Sequence, residues 1–445
     1  MKESESSHRR PTLLEAIVAV AVSFACIGVG VLALGVDVHV PIVIATSFIC
    51  VIGRYLLHFQ WKEIEEGIFR GIMIGLQAIL ILMIVGMIIG AWIQGGIVPT
   101  LIYYGLSLLS PAIFLLATLL ICSIVSLATG TSWGTSGTVG LALMGIAAGL
   151  GVPAPLAAGV VISGAYFGDK MSPLSDTTNL APAVAGTTLF SHIRAMISTT
   201  MITYAIVIVI TLVIGFKFAG GTLDASRIQA FQKLLAAEFH ISLLGFIPPI
   251  VVIFLAASRF PAIPSLFAGV VLGAIMVLLQ GNGLATMVTS IHYGYTPALS
   301  AELAGAENLE AVSALLASKG ITDVSPELAK EVGQMLSDLL KRGGLDSMMW
   351  TVSLIFCALS FGGVMERCGF LEVLLEAILK HVESVTGLVT SVIIACFATN
   401  LLVGDQYTSV VLPGRMFKSA FDKKGLHPRM LSRTLEDSGT LTSVL

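Results

Sequence analysis

Charge is what this sequence has least of. Asp, Glu, Lys and Arg make up 11% of its 445 residues, against roughly 25% in soluble domains, which is too little to coat a globule. Residues 71–168 hold no charged side chain at all, whereas one transmembrane helix needs only about 20 apolar residues. The net charge of -3 lacks the excess of one sign that would point to nucleic acid as a partner. The six cysteines form no CxxC pair, a spacing that argues against a disulfide framework or a zinc site. The eight histidines are scattered, and no GxxxxGK[ST] loop is present to cradle a nucleotide. No cofactor is expected, and any transport must draw on an ion gradient.

What remains is apolar. Runs fall near 13–36, 39–58, 71–94, 111–129, 137–152, 155–170, 196–216, 241–258, 262–281, 346–365, 385–403, 405–421 and 428–445. The first is too long for a signal-peptide core of about 7–15 residues and reads as a retained span. The expected fold is an all-α polytopic membrane protein of about 11–13 transmembrane segments, some of them broken helices. With the basic N-terminus in the cytoplasm, alternation puts Arg54, Lys62, Arg70, Arg194, Arg259 and the cluster Arg415 to Arg433 on that same side, as the positive-inside bias prefers.

Two stretches repeat. Gly90-Ala-Trp92 and Gly96 match Gly363-Val-Met365 and Gly369 at an offset of 273, as Thr135-Ser136 match Thr408-Ser409. Asp169 and Ser172 match Asp437 and Thr440 at 268. The two runs cross the membrane in opposite senses on the topology count, so an inverted-topology repeat is expected, as in many secondary transporters. The expected division is 1–70 as an N-terminal two-span region, 71–281 as the first repeat, 282–345 as an acidic insertion outside the cell, and 346–445 as the second repeat. That second copy ends within the matching stretch, so part of it is expected to be missing. In the insertion, Ser325-Pro-Glu327 predicts a capped helix start and a helical hairpin.

The chemistry concentrates where charge reappears. Asp169 and Asp176 lie in Gly164-Ala-Tyr-Phe-Gly-Asp-Lys-Met-Ser-Pro-Leu-Ser-Asp-Thr-Thr-Asn-Leu-Ala-Pro182. Ionisable groups at membrane depth are functional candidates by default. The glycines and prolines interrupt the helix and free backbone groups that must line a cavity or be buried in protein. Carboxylate, hydroxyl and carbonyl oxygens together, Ser172 and Asn179 among them, suit a small hard cation. The plainer reading is an interfacial loop in which Asp176 caps a helix. Just upstream, residues 126–138 hold seven hydroxyl side chains and three glycines, which predicts a polar re-entrant turn carrying Thr129, Thr131, Ser132 and Thr135; small residues also serve close helix packing. Its counterpart, Ala398 to Ser409, brings Asp405, Thr408 and Ser409, with a helix end at the interface as the alternative for Asp405. Asp437 enters through its match to Asp169. Glu436 follows Arg429 and Arg433 at helical spacing, so a surface ion pair competes with an ion-site role. Lys170 either neutralises Asp169 or snorkels to the interface.

A buried carboxylate holds a proton or a cation but resists holding both, because the cation favours its charged form while desolvation disfavours it. Competition of that kind, coupled to alternating access, is antiport; the reading is of a transporter and not an enzyme.

At ATGTSWGTSGTVG (128–140), GAYFGDKMSPLSDTTNLAPAVAGT (164–187) and TLEDSGTLTSVL (434–445) the chain resembles the NhaC-type sodium/proton antiporter family. The resemblance implies sodium/proton exchange at the inner membrane of a prokaryote, with sodium near Asp169, Asp176 and the hydroxyl-rich turn. It implies inverted repeats, in which a transport domain moves against a scaffold, and by analogy a homodimer. It also brings the alternative of a sodium- and proton-coupled organic acid (malate/lactate) antiporter, for which the turn at Thr131 to Thr138, Asn179 and Asn400 would serve as an anion site. A membrane scaffold or channel without coupled exchange is the reading from another class.

Overall fold

Burial of an unpaired backbone amide or carbonyl in lipid is costly enough that a chain this apolar must satisfy those groups within its own segments. The computed structural model does so with helices alone. It describes residues 8–173, 175–219, 225–258, 260–379, 384–403 and 406–444, among which no strand occurs. The chain is an all-α polytopic membrane protein.

Two helices open it, α1 (Leu13–Gly28) and α2 (His39–Val51), each extended by a π turn. Thr12 caps α1 in a reciprocal capping box with Glu15, which satisfies two otherwise orphaned amides. Then come α3 (Trp61–Gln94), α4 (Ile97–Leu108), α5 (Pro111–Thr129), the four-residue α6 (Ser132–Thr135), α7 (Leu141–Gly149), α8 (Ala154–Met171), α9 (Asp176–Ala185) and α10 (Leu189–Ala219). The series α11 (Ala225–Glu238), α12 (Ile247–Ala257), α13 (Ala262–Leu279) and α14 (Leu284–Tyr293) leads to three polar-flanked helices, α15 (Leu299–Gly305), α16 (Leu309–Ser318) and α17 (Pro326–Leu340). Ser325 caps α17, accepting from the Leu328 amide, as its sequence predicts. The chain closes with α18 (Met349–Arg367), α19 (Phe370–Leu379), α20 (Val385–Val403), α21 (Gln406–Lys423) and α22 (Pro428–Leu435).

Among the described residues six helical stretches are long and apolar enough to cross a membrane, or up to eight if each bent pair is one span. That is fewer than the apolar runs, because several runs fold as shorter pieces. The run 137–152 is split between a π turn and α7, and α4 and α19 occupy stretches outside the expected runs. Both of these short helices follow a glycine with left-handed backbone, Gly96 (φ 71°) and Gly369 (φ 79°), a conformation that penalises any side chain. The succession is the same in both places. A long helix ends at that glycine, a short helix follows, then a long one (α5, α20), then a break and further helices.

The described parts of the chain form two compact units, Met1–Ile79 with Asp176–Thr200 and Trp350–Leu445, and Leu80–Ser175 with Met201–Met349. The first unit has two apolar cores. One lies beneath α1, α2, α18 and α19 around Ile49, Ile64, Phe361 and Phe370; the other joins α9, α20, α21 and α22 around Val392, Phe417 and Leu435. Here α3 and α18 meet backbone to backbone: a Cβ at Gly71 would sit 2.3 Å from the Leu359 carbonyl oxygen and 2.9 Å from the Gly363 Cα. Gly67, Gly71 and Gly75 are spaced by four, the pattern that lets membrane helices approach closely. Gly71→Leu is therefore expected to destabilise the protein by about 1–3 kcal/mol or more through overpacking. The fraction of detergent-solubilised protein that stays monodisperse after heating measures this, and an unchanged profile would refute the contact.

The second unit has one continuous core that runs from Trp92, Ile102 and Phe114 through Leu234 to Leu303 and Leu336. The polar-flanked helices are thus packed onto the apolar ones. Glu238 fixes the junction: its carboxylate accepts from the Tyr295 hydroxyl (2.9 Å) and the amides of Ala298 (2.7 Å) and Ser300 (3.2 Å). Burial and the Glu238 charge hold the Tyr295 hydroxyl well above its ordinary pKa. An unfolded Tyr ionises near pH 10, so the stability this raised value confers is whole below about pH 10 and declines above it. Glu238→Ala leaves buried donors without an acceptor, a loss of about 1–3 kcal/mol. It should show as faster amide exchange over residues 295–305 and a weaker alkaline decline.

Candidate ion-binding sites

Among the described residues, each unit carries a cluster of buried polar groups with a carboxylate at its centre. In the second unit, α5 and α8 lie against each other along small residues: a Cβ at Gly164 would meet the Leu119 carbonyl oxygen at 2.6 Å, and one at Gly168 the Ser123 carbonyl oxygen at 2.3 Å. Ser126 and Ser172 tie the pair by donating to the carbonyls of Ala165 (2.5 Å) and Leu127 (2.8 Å). α5 stops at Gly130, which has left-handed backbone (φ 68°). The chain turns back through Thr131, whose hydroxyl caps α6 by accepting from the Gly134 amide. A π turn over Ser136–Gly140 follows; such irregular turns recur at functional sites.

This reversal aims the start of α6 at a carboxylate. Asp169 on α8 is 7% exposed, and its Oδ2 accepts from the Ser132 amide (3.1 Å) and the Ser132 hydroxyl (2.7 Å). Lys170 is buried at 3% exposure, which is not the position of a side chain snorkelling to water. Ser172 and Thr135 are buried as well, and Thr129 is half-buried. Thr135 donates to the Thr131 carbonyl at 2.9 Å. Beside the turn, Thr129, Thr131, Thr135 and Thr138 face Trp92 and Leu266 around a cavity of about 10 Å³, the size of one water-sized sphere.

The cluster of the first unit is built on α20, α21 and α22 with the π turn Glu436–Thr440. Glu436 is fully buried, and the Thr440 hydroxyl donates to its Oε1 at 2.9 Å. The surface reading for Glu436 is thereby excluded. Ser432, Glu436 and Thr440, spaced by four, form a buried polar stripe, and the buried His192 Nδ1 lies 2.6 Å from the Ser432 hydroxyl. Arg429, Arg433 and Asp437 share the other register. Asp437 is half-buried and accepts from the Thr199 hydroxyl at 2.9 Å. Asn400, 7% exposed, donates to the Gly439 carbonyl (2.6 Å) and the Thr442 hydroxyl (2.7 Å). Its Oδ1 is buried without a hydrogen-bond partner among the described residues, an oxygen of the kind a cation takes. Thr408 and Ser409 are buried on α21.

The structure therefore brings Asp169, Ser132, Thr131, Thr135, Thr129 and Ser172 together in one unit. It puts Thr408, Ser409 and Asp437 in the other. Asn179 on α9 is exposed. Asp176 begins α9, but its side chain lies outside what is described, as does the whole of Asp405. Glu436, Asn400 and His192 are the residues that sequence reasoning underrated.

Residues 164–318 and 318–445 match the profile of the Na+/H+ antiporter family. Among similar proteins, the Na+/H+ antiporter NhaC of Alkalihalophilus pseudofirmus is 38% identical over 98% of this chain and 87% of its own length. The malate-2H+/Na+-lactate antiporter of Bacillus subtilis is 38% identical over 98% of this chain and 86% of its own. The arginine/ornithine antiporter ArcD of Halobacterium salinarum is 35% identical over 99% and 85%.

Proposed function

The chain belongs to the Na+/H+ antiporter family, and from that premise we propose that it exchanges sodium for protons across the cytoplasmic membrane, the two ions competing at buried carboxylates. The observation that carries this reading is Asp169, sunk in the protein with one oxygen held by the Ser132 amide and hydroxyl. A carboxylate so placed is oriented by donors that also support its charged form, and a sodium ion arriving beside it supports that form further. When sodium leaves, desolvation favours return of a proton. Occupation by one ion thus expels the other without any separate gate for charge.

Glu436 supplies the same chemistry in the first unit, with Thr440 as its donor and the Asn400 oxygen, Thr408 and Ser409 on neighbouring elements. The matching successions of helices in the two units, each containing one carboxylate cluster, support reading them as halves of an inverted-topology repeat. On the same reading the N-terminus is cytoplasmic and the functional assembly a homodimer. No resident cofactor enters; sodium is cargo.

Everted vesicles with an imposed acidic interior test this. Adding sodium chloride should dissipate the proton gradient. A response only when malate or lactate accompanies sodium would transfer the chain to the organic acid reading, and ion flux with no proton movement would make it a channel.

A further inference from the structure

A groove of about 590 Å³ runs along α2 in the first unit and shares no residue with either cluster. α2 and its π turn supply Val43, Thr46, Ser47, Cys50, Val51 and Arg54, the three- and four-residue spacing of one helix face. Trp61 and Ile68 of α3 and Phe356 and Ser360 of α18 stand along its other sides. We propose that one acyl chain of an anionic phospholipid lies in this groove, with the headgroup phosphate on Arg54. Such a site needs only the membrane-spanning fold, whatever ions cross it.

The hydroxyl groups in the wall are already spent. Thr46, Ser47 and Ser360 donate to the carbonyls of Ile42 (2.8 Å), Val43 (2.8 Å) and Phe356 (2.6 Å), each one turn back on its own helix, so a hydrocarbon chain meets no donor in need of a partner. One cation remains. Arg54 is exposed, and its one hydrogen bond among the described residues is a long one of 3.5 Å to the Phe59 carbonyl. Glu65, in helical register with Trp61 and Ile68, makes no ion pair with it. The guanidinium fork suits phosphate, and basic pockets between membrane helices bind anionic headgroups. Tyr55, 76% exposed, and Trp61, 56% exposed, flank the same end of the groove, an aromatic pair of the kind that marks headgroup level. From Val43 to Arg54 the helix rises roughly 17 Å, about half of a hydrocarbon core of about 30 Å, which is the depth of one leaflet. A free phosphate would use the guanidinium and none of the wall. A second copy of the chain would bury Arg54 without supplying a counter-charge, a costly arrangement.

Native mass spectrometry of the delipidated full-length protein in detergent tests this, with phosphatidylglycerol and phosphatidylcholine of matched chains as probes. One phosphatidylglycerol per chain is expected to bind at least fivefold more tightly than phosphatidylcholine, whose own cation repels Arg54, and to raise the melting midpoint. Glycerol 3-phosphate, a headgroup without chains, should do neither. Arg54→Gln should remove the preference, and Arg54→Lys, which keeps a cation, should retain most of it. Because Arg54 is exposed, neither change threatens the fold. Ser360→Trp fills the groove and should weaken both lipids severalfold. Should that variant fail to fold, short-chain phosphatidylglycerol asks the same question of the unmodified protein and should bind tenfold or more weakly than the long-chain lipid. Equal binding of the two headgroups, a preference that survives Arg54→Gln, or binding of glycerol 3-phosphate as tight as that of the lipid would each overturn the site. A dimer that phosphatidylglycerol does not displace and that Ser360→Trp dissolves would overturn it too, giving the groove to a second copy.

Discussion

Asp169→Asn is expected to reduce sodium-dependent proton exchange to the vesicle background, a fall of roughly a hundredfold or more, comparable to removing a proton-transferring group from an enzyme. The change is nearly isosteric. An Asn oxygen still accepts from the Ser132 amide and hydroxyl that now hold Oδ2 at 3.1 and 2.7 Å, so the turn between α5 and α6 keeps its anchor. What disappears is the charge that attracts sodium and the site that takes up a proton. Membrane levels and melting behaviour should therefore stay close to those of the unmodified protein, and the loss will be one of turnover. Retention of even a tenth of the exchange rate in Asp169→Asn would show that the coupled proton sits elsewhere.

Glu436→Gln carries the second large effect. Gln retains an oxygen for the Thr440 hydroxyl, now 2.9 Å from Oε1, but cannot alternate between a proton and a cation. Exchange should again fall to background, because the residue is fully buried and no water can stand in for its charge. The neighbouring Asp437→Asn provides the contrast. Asp437 is half-buried and bonded to Thr199, so its loss should alter the apparent affinity for sodium severalfold and leave the maximal rate largely intact. Equal effects of the two changes would mean that burial does not decide which acid carries the ion.

These two carboxylates differ in how plainly the sequence announces them. Asp169 ends a long uncharged stretch among glycines and serines, and a charge in that setting has few structural explanations. Glu436 sits next to Asp437 and after two arginines, which looks like a solvated face. The distinguishing signal is register: Ser432, Glu436 and Thr440 repeat every four residues, as do Arg429, Arg433 and Asp437, so one stripe faces protein and the other a more open environment. The helical class follows from composition, because lipid leaves the backbone little alternative. The short helices after Gly96 and Gly369 are harder to read, since their apolar character matches that of the spans and only left-handed glycines separate them. Buried pairs such as His192 with Ser432 join residues 240 positions apart, and no local pattern encodes them. The cap at Ser325, by contrast, is a matter of four adjacent residues and is legible outright.

Proton release on sodium binding tests the central claim most directly. In purified protein held in a weakly buffered solution near neutral pH, sodium chloride should acidify the medium, saturating with sodium concentration, and choline chloride should not. Asp169→Asn and Glu436→Gln should each diminish the release, and the double variant should abolish it. Sodium binding that saturates with no proton set free, or release undiminished in the double variant, would contradict an exchange built on these two buried acids.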